Sequence, residues 1–241
     1  MIRLLKRLFR WIKRLILRVV LLMLLCVLAV GGYLIYEGHQ MYEDALAETP
    51  VQQVMAQIQA NPSYTPLEQI PQIYRNAVIS TEDHRFYRHN GLDYIAIARA
   101  MYHNVKAGEL TEGGSTITQQ LAKNQFFTQK KELTRKIAEV FMVREIEELY
   151  EKDEILELYI NSIYYGDGYY CIADASRGYF GKAPWEMNAY ECTLLAGIPN
   201  APSVYAPTVN PELAAQRQQQ VLHDMVQWGY LTDTEAMAIA P

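Results

Sequence analysis

Residues 80–91, STEDHRFYRHNG, put two carboxylates, two histidines, two arginines and two aromatic rings on the approach to a helix. A cluster of this kind is a place where chemistry could sit, although taken alone it is a weak signal. The same acids suit an ordinary surface helix, where they offset the helix dipole. The stretch alone leaves both readings open. His84 and His89 lie five residues apart, not the four that let two helical histidines share an ion, so no metal site is expected.

Residues 112–124, EGGSTITQQLAKN, are a second candidate. Gly113-Gly114 permits an unusual turn, and Ser115 or Thr116 can cap the helix that follows. On that helix Thr116, Gln120 and Lys123 recur at i, i+4 and i+7 as one polar stripe. A glycine turn entering a helix, followed by lysine, suits an anion. It is not a P-loop, which needs Gly-Lys-Ser/Thr in succession. A merely solvated face accounts poorly for Thr-Gln-Gln without charge pairs. In RKIAE, residues 135–139, Arg135 and Lys136 share one helix face with Glu139. They are either a surface ion-pair cluster or a carboxylate kept ionised beside an anionic substrate. In KDEILELYIN, residues 152–161, Ile155, Leu156, Leu158 and Tyr159 make a broad apolar face, the mark of a core helix.

The elements that carry these residues read as helices. Apolar residues recur at three- and four-residue spacing over Leu92–Lys106, Ser115–Phe126, Glu132–Tyr150, Lys152–Ile163, Ala189–Ile198 and Pro211–Trp228. One strand signal stands against them, a short hairpin around Tyr164–Tyr170 where aromatics flank Gly166-Asp167-Gly168. The fold class is therefore mostly α. Val19–Tyr36 is free of charge and, with Leu15–Leu17, long enough as a helix to cross a bilayer core of about 30 Å. A secretory signal peptide competes, but EGHQMYEDALAE follows the run instead of a small-residue cleavage site. We expect an uncleaved anchor, with Cys26 inside it. Residues 1–18 hold seven basic side chains and no acid, which puts the N-terminus in the cytoplasm by the positive-inside rule. The expected order is a basic segment 1–18, a transmembrane helix 19–36, a stalk 37–66, a mostly α domain 67–230 and a tail 231–241.

Composition sets the outer bounds. Half of the 241 residues are hydrophobic and a fifth charged, which is globular and not disordered. Three cysteines make no disulfide framework. After residue 18, 15 basic residues stand against 27 acidic ones, a charge of −12, which speaks against a nucleic-acid partner.

In this order and spacing the segments resemble the peptidoglycan glycosyltransferase family (family 51), the transglycosylase domain of class A penicillin-binding proteins and the monofunctional transglycosylases. Its first motif is matched by Glu82, Asp83, Phe86, His89 and Gly91, and its second without a break from Gly113 to Gln120 and at Lys123 and Asn124. The third is Arg135, Lys136 and Glu139; the fourth is Lys152, Ile155, Leu156, Glu157, Tyr159 and Asn161. In the fifth, Arg217, Val221 and Leu222 match, but Gln218 stands where the family has a second arginine. YFGK (179–182) and AGIPNAPSVYAP (196–207) also look like family segments.

The resemblance implies a lysozyme-like bilobed helical domain on the outer face of the plasma membrane. Its substrates would be lipid II and the growing glycan chain, joined with inversion into a β-1,4 glycan as undecaprenyl diphosphate leaves. It implies Glu82 as base and Glu139 as a second catalytic carboxylate that positions substrate. Asp83, Phe86, His89, Thr116, Gln120, Lys123, Asn124, Arg135, Lys136 and Arg217 would bind substrate. No cofactor is required, although a divalent cation (Mg2+ or Mn2+) could accompany the donor diphosphate. A separate transpeptidase is a possible partner, since no Ser-x-x-Lys or Lys-Thr-Gly occurs here. We expect a monofunctional enzyme, with a bifunctional chain continuing past LTDTEAMAIAP as the alternative. Phe86, Tyr87, Phe126 and Phe127 are expected to form an exposed apolar patch. Position 218 is expected to support the fold or a helix–helix contact, with Arg217 doing the polar work of the motif. Two rival functions stand: a glycan-cleaving lysozyme or lytic transglycosylase, which needs a protonated acid and no cation set, and a membrane-anchored binding subunit with a decayed site.

Overall fold

The computed structural model describes residues 2–108, 113–127 and 132–239. With no proline before Pro50, the chain opens as one 47-residue helix, α1 (Ile2–Glu48). The large apolar side chains from Leu15 to Leu28 are exposed, covered by no part of the protein. The helix is long and apolar enough to cross a membrane.

The stretch expected as a stalk is helical and packed. The end of α1 lies on α6 (Glu132–Leu149), with the His39 ring edge-on to Phe141 at 5.0 Å and the Tyr42 hydroxyl donating to Glu145 at 3.2 Å. Gly38 permits the approach, because a Cβ there would meet the Ile137 side chain at 2.5 Å. After Pro50, α2 (Val51–Gln59) buries Val51, Val54, Met55 and Ile58 in the main core. The globular unit thus begins well before residue 67.

The remaining helices form two groups. In one, α3 (Gln72–Glu82), α9 (Ala189–Gly197) and α11 (Pro211–Gln227) pack against each other. In the other, α5 (Ile117–Phe126) lies against α6 and α7 (Lys152–Ile160). A continuous core joins them, with Tyr74, Phe86, Tyr159 and Tyr165 fully buried. The others are α4 (Tyr94–Ala107), α8 (Ile172–Phe180), α10 (Pro202–Tyr205) and α12 (Asp233–Ile239). The expected helices appear within a few residues of their limits, because capping residues sit at their starts. Asp93 accepts from the Ile95 and Ala96 amides, Thr116 forms a reciprocal box with Gln119, and Asn210 caps α11 ahead of Pro211.

The expected hairpin is not a strand pair, and no strand occurs among the described residues. Gly166, Asp167 and Gly168 all take positive φ, so the chain turns back at once. The Tyr165 amide donates to the Tyr169 carbonyl at 2.8 Å and the Tyr169 amide to the Gly166 carbonyl at 2.9 Å, a closed loop too tight for a ladder. The expected patch is also different. Phe86 is buried, Phe126 and Phe127 are partly buried on the core, and Tyr87 alone of the four is exposed. A group of exposed apolar side chains lies instead on α4, at Tyr94, Ile95, Met101, Tyr102 and Val105.

Candidate active site

Glu82 is the last residue of α3, and the packing of α3 on α9 and α11 aims it into a cleft between the two helix groups. Its Oε2 accepts from Gln120 Nε2 at 2.7 Å. Gln120 is itself oriented, since its Oε1 accepts from the buried Tyr159 hydroxyl at 3.1 Å. With the amide thus held at both ends, its NH2 faces the carboxylate. Glu82 Oε1 is buried and has no hydrogen-bond partner. Burial pushes the Glu82 carboxyl above its ordinary range, Gln120 and Arg217 pull it back, and Asp83 and Asp224 add to the rise.

Across the cleft, α6 presents cations. Glu139 is fully buried and meets Arg135 Nη1 at 3.1 Å and Lys136 Nζ at 2.8 Å. The surface-cluster reading of RKIAE therefore fails: the carboxylate lies under the two cations. Lys136 also donates to Ser115 Oγ at 3.1 Å, which ties α6 to the start of α5. Glu82, Gln120, Lys123, Arg135, Lys136 and Arg217 line one cavity of about 840 Å3.

Four expected substrate contacts face elsewhere, and a fifth only touches the cleft. Asp83 borders it, but its carboxylate is occupied by His89 Nε2 at 3.0 Å and by the Ile117 amide at 3.1 Å. His89 is thereby a brace. Phe86 is wholly in the core and cannot reach a ligand. Thr116 is buried, donating to the Gly91 carbonyl at 2.6 Å while it caps α5. Asn124 is exposed on a separate groove. Residue 112, which opens the second motif stretch, lies outside the described residues. Gln218 is fully buried and donates to Thr193 Oγ1 at 2.9 Å, in the contact between α11 and α9.

Sequence reasoning missed Asp224 and Trp228, which also line the cleft. Trp228 stacks on His84 at 3.7 Å between centroids and 10° between planes. A signal for both exists: they lie seven and eleven residues after Arg217, on one helix face. Arg99 reaches the cleft from α4 with no comparable signal.

Among the described residues the one suggestive group, Asp83, His89 and Asp93, offers a divalent ion no fitting home. Asp93 Oδ1 takes two backbone amides and Oδ2 faces Arg85 Nε at 3.0 Å, while Asp83 and His89 are occupied with each other and with α5. Internal donors, not an empty coordination sphere, explain this cluster.

Residues 48–226 match the family described as Transglycosylase. The chain belongs to the transglycosylase family. The chain is 46% identical over 169 residues to penicillin-binding protein 1A of Aquifex aeolicus, covering 70% of the chain and 23% of that relative. Penicillin-binding protein 1F of Bacillus subtilis is 37% identical over 236 residues, 93% of the chain and 33% of the relative. A Cupriavidus necator protein with the provisional name transglycosylase is 46% identical over 174 residues, 72% of the chain and 75% of the relative. The chain thus spans about a quarter to a third of the length of these penicillin-binding proteins. The crystal structure of penicillin-binding protein 1A from Haemophilus influenzae aligns with a TM-score of 0.44 at 22% identity, over 73% of this chain and 17% of that one.

Proposed function

We propose that this transglycosylase polymerises lipid II into β-1,4 glycan chains at the outer face of the plasma membrane, releasing undecaprenyl diphosphate. The observation that carries the reading is the cleft in which the partly buried Glu82 carboxylate shares one lining with Arg99, Lys123, Arg135, Lys136 and Arg217. Glu82 takes the proton of the acceptor 4-hydroxyl. That oxygen attacks the anomeric carbon of the donor N-acetylmuramic acid from the face opposite the diphosphate. The bond to the diphosphate breaks with its electron pair, and the configuration inverts. Cations fixed beforehand favour the leaving group, because its charge grows in the transition state. Glu139 keeps Arg135 and Lys136 in place and so acts on the donor through them. The chemistry asks for no resident cofactor.

A raised carboxyl would also suit the protonated acid of a glycan-cleaving enzyme. A neutral glycan, however, offers nothing for this set of cations to hold, and a diphosphate does. Membrane attachment is supported by the bare apolar face of α1, with the basic residues 1–18 on the cytoplasmic side, and by the exposed apolar residues of α4. Lipid II consumption by the full chain in detergent tests the reading. Glu82→Gln is expected to lower turnover by about 10²–10⁴-fold while binding of a donor-site inhibitor persists. A loss below about tenfold, on the order of 1.4 kcal/mol of barrier, overturns the assignment of the base.

A further inference from the structure

A second depression lies on another side of α5, bounded by α2, the end of α7 and the 164–170 turn, with a volume of about 480 Å3. Its chemistry is unlike that of the cleft. No Lys, Arg, Asp or Glu lines it among the described residues. Instead Gln57, Asn61, Asn124 and Gln125 present carboxamides, which both donate and accept hydrogen bonds. The exposed side chains of Gln57 and Asn124 have no hydrogen-bond partner among the described residues, so their capacity is open to a ligand. At one end Tyr164 and Tyr170 stand 4.7 Å apart at an interplanar angle of 34°. Tyr170 is 61% exposed, a large apolar ring left to solvent by the turn that brings it back beside Tyr164.

We propose that this groove binds a neutral, N-acetylated glycan, a stretch of the polymer beyond the reacting sugars. A chain of hexosamines offers hydroxyls and acetamides in every direction, which carboxamides match in kind, and apolar C–H faces that pack on a tyrosine ring. The size suits a few sugar units, since ligand sites run from about 300 to 1,000 Å3. A diphosphate or a charged peptide would find no counter-ion here. The sugar's identity rests on the polymerase reading; the groove does not.

Titration of the full chain in detergent with chitotetraose, an uncharged tetramer of N-acetylglucosamine, tests the proposal. Saturable binding is expected that changes little with salt, because no ion pair is made. Tyr170→Ala and, separately, Gln57→Ala are expected to weaken it by about tenfold or more, while Tyr170→Phe keeps it within about threefold. Both positions are exposed, and a thermal melt checks that each variant is folded. Lipid II consumption is expected to proceed in Tyr170→Ala, with shorter product chains. The proposal is overturned if the wild-type chain shows no saturable binding, which would leave the groove to a protein segment. It is equally overturned if Tyr170→Ala and Gln57→Ala bind normally while Lys136→Met does not, since the tetramer then sits in the cleft. Loss of lipid II turnover in the wild-type chain with tetramer binding intact would instead defeat the polymerase reading alone.

Discussion

The helices α6 and α7 follow one another, and each carries a polar motif. On α6, Arg135 and Lys136 turn toward the cleft with Glu139 buried beneath them. On α7, Glu157 and the Asn161 that follows turn inward and hold the chain to itself. Glu157 accepts from the Tyr64 hydroxyl and the Leu67 amide. Asn161, at its end, accepts from the Thr65 amide at 2.9 Å and donates to the Thr65 carbonyl at 2.9 Å. Polar residues of similar prominence in sequence thus do opposite work. One set is arranged for a ligand's charge, and the other satisfies backbone groups that a loop would otherwise leave unpaired. Tyr159 belongs to both, since its buried hydroxyl orients Gln120 against Glu82.

The sharpest way to break this contrast is to compare Lys136→Met with Asn161→Ala. The first is expected to lower turnover by about 10²-fold, as loss of one fixed transition-state donor does. Its stability cost should be smaller, about 1 kcal/mol, because Arg135 still faces Glu139 and the Lys136 side chain is partly solvated. The second is expected to cost about 2–3 kcal/mol of stability, read by denaturant unfolding, by stranding buried polar groups of the 65 segment. Turnover of its folded fraction should stay within about threefold. The reverse pattern would show that α7, not α6, carries substrate.

The pH profile sharpens the account of the cleft itself. Glu82 acts as base only when ionised, and burial raises its pKa, so the acid limb of turnover should lie above the ordinary glutamate value of about 4.3. Gln120→Leu removes a hydrogen bond to the ionised form and should move the limb to higher pH; Arg217→Ala should move it the same way. For folding the sign is opposite in effect. The native state binds the Glu82 proton more tightly than the unfolded chain does, so ionising this group costs stability as pH rises through the folded pKa. Glu82→Gln, inactive, should therefore be at least as stable as the parent at pH 7, by thermal melt. A clear loss of stability would mean that the carboxylate is a structural anchor.

The smallest expected effect is that of Tyr159→Phe. The ring still fills its buried place, while Gln120 loses the hydroxyl that sets its direction. A cost of about 1 kcal/mol in stability and a drop of a few-fold in turnover are expected. An unchanged acid limb and unchanged turnover would show that Gln120 needs no help to face Glu82.

Much of the chemistry was legible before any coordinates. A helix N-cap is read locally, so Thr116 announced the start of α5. The i, i+3 and i, i+4 spacing put Arg135, Lys136 and Glu139 together, because a helix fixes such neighbours whatever surrounds it. The turn at Gly166 to Gly168 was legible as a turn, but its pairing was not. Three successive residues of positive φ leave no room for the ladder that the flanking tyrosines suggested.

Sequence by itself determined the elements and the inventory: one long uncharged helix after a basic start, a series of capped helices, and a carboxylate with a set of cations. These follow from interactions that reach no farther than a turn or two of chain. Tertiary structure alone decided the direction of each side chain. It sent Phe86 into the core, closed Asp83 onto His89 and the start of α5, buried Glu139 under its cations and set Gln218 against Thr193. It also brought Tyr159 to Gln120, and Gln120 to Glu82, across separations of 39 and 38 residues. Which face of a helix meets solvent, core or ligand depends on what packs against it, and that partner is distant in the chain.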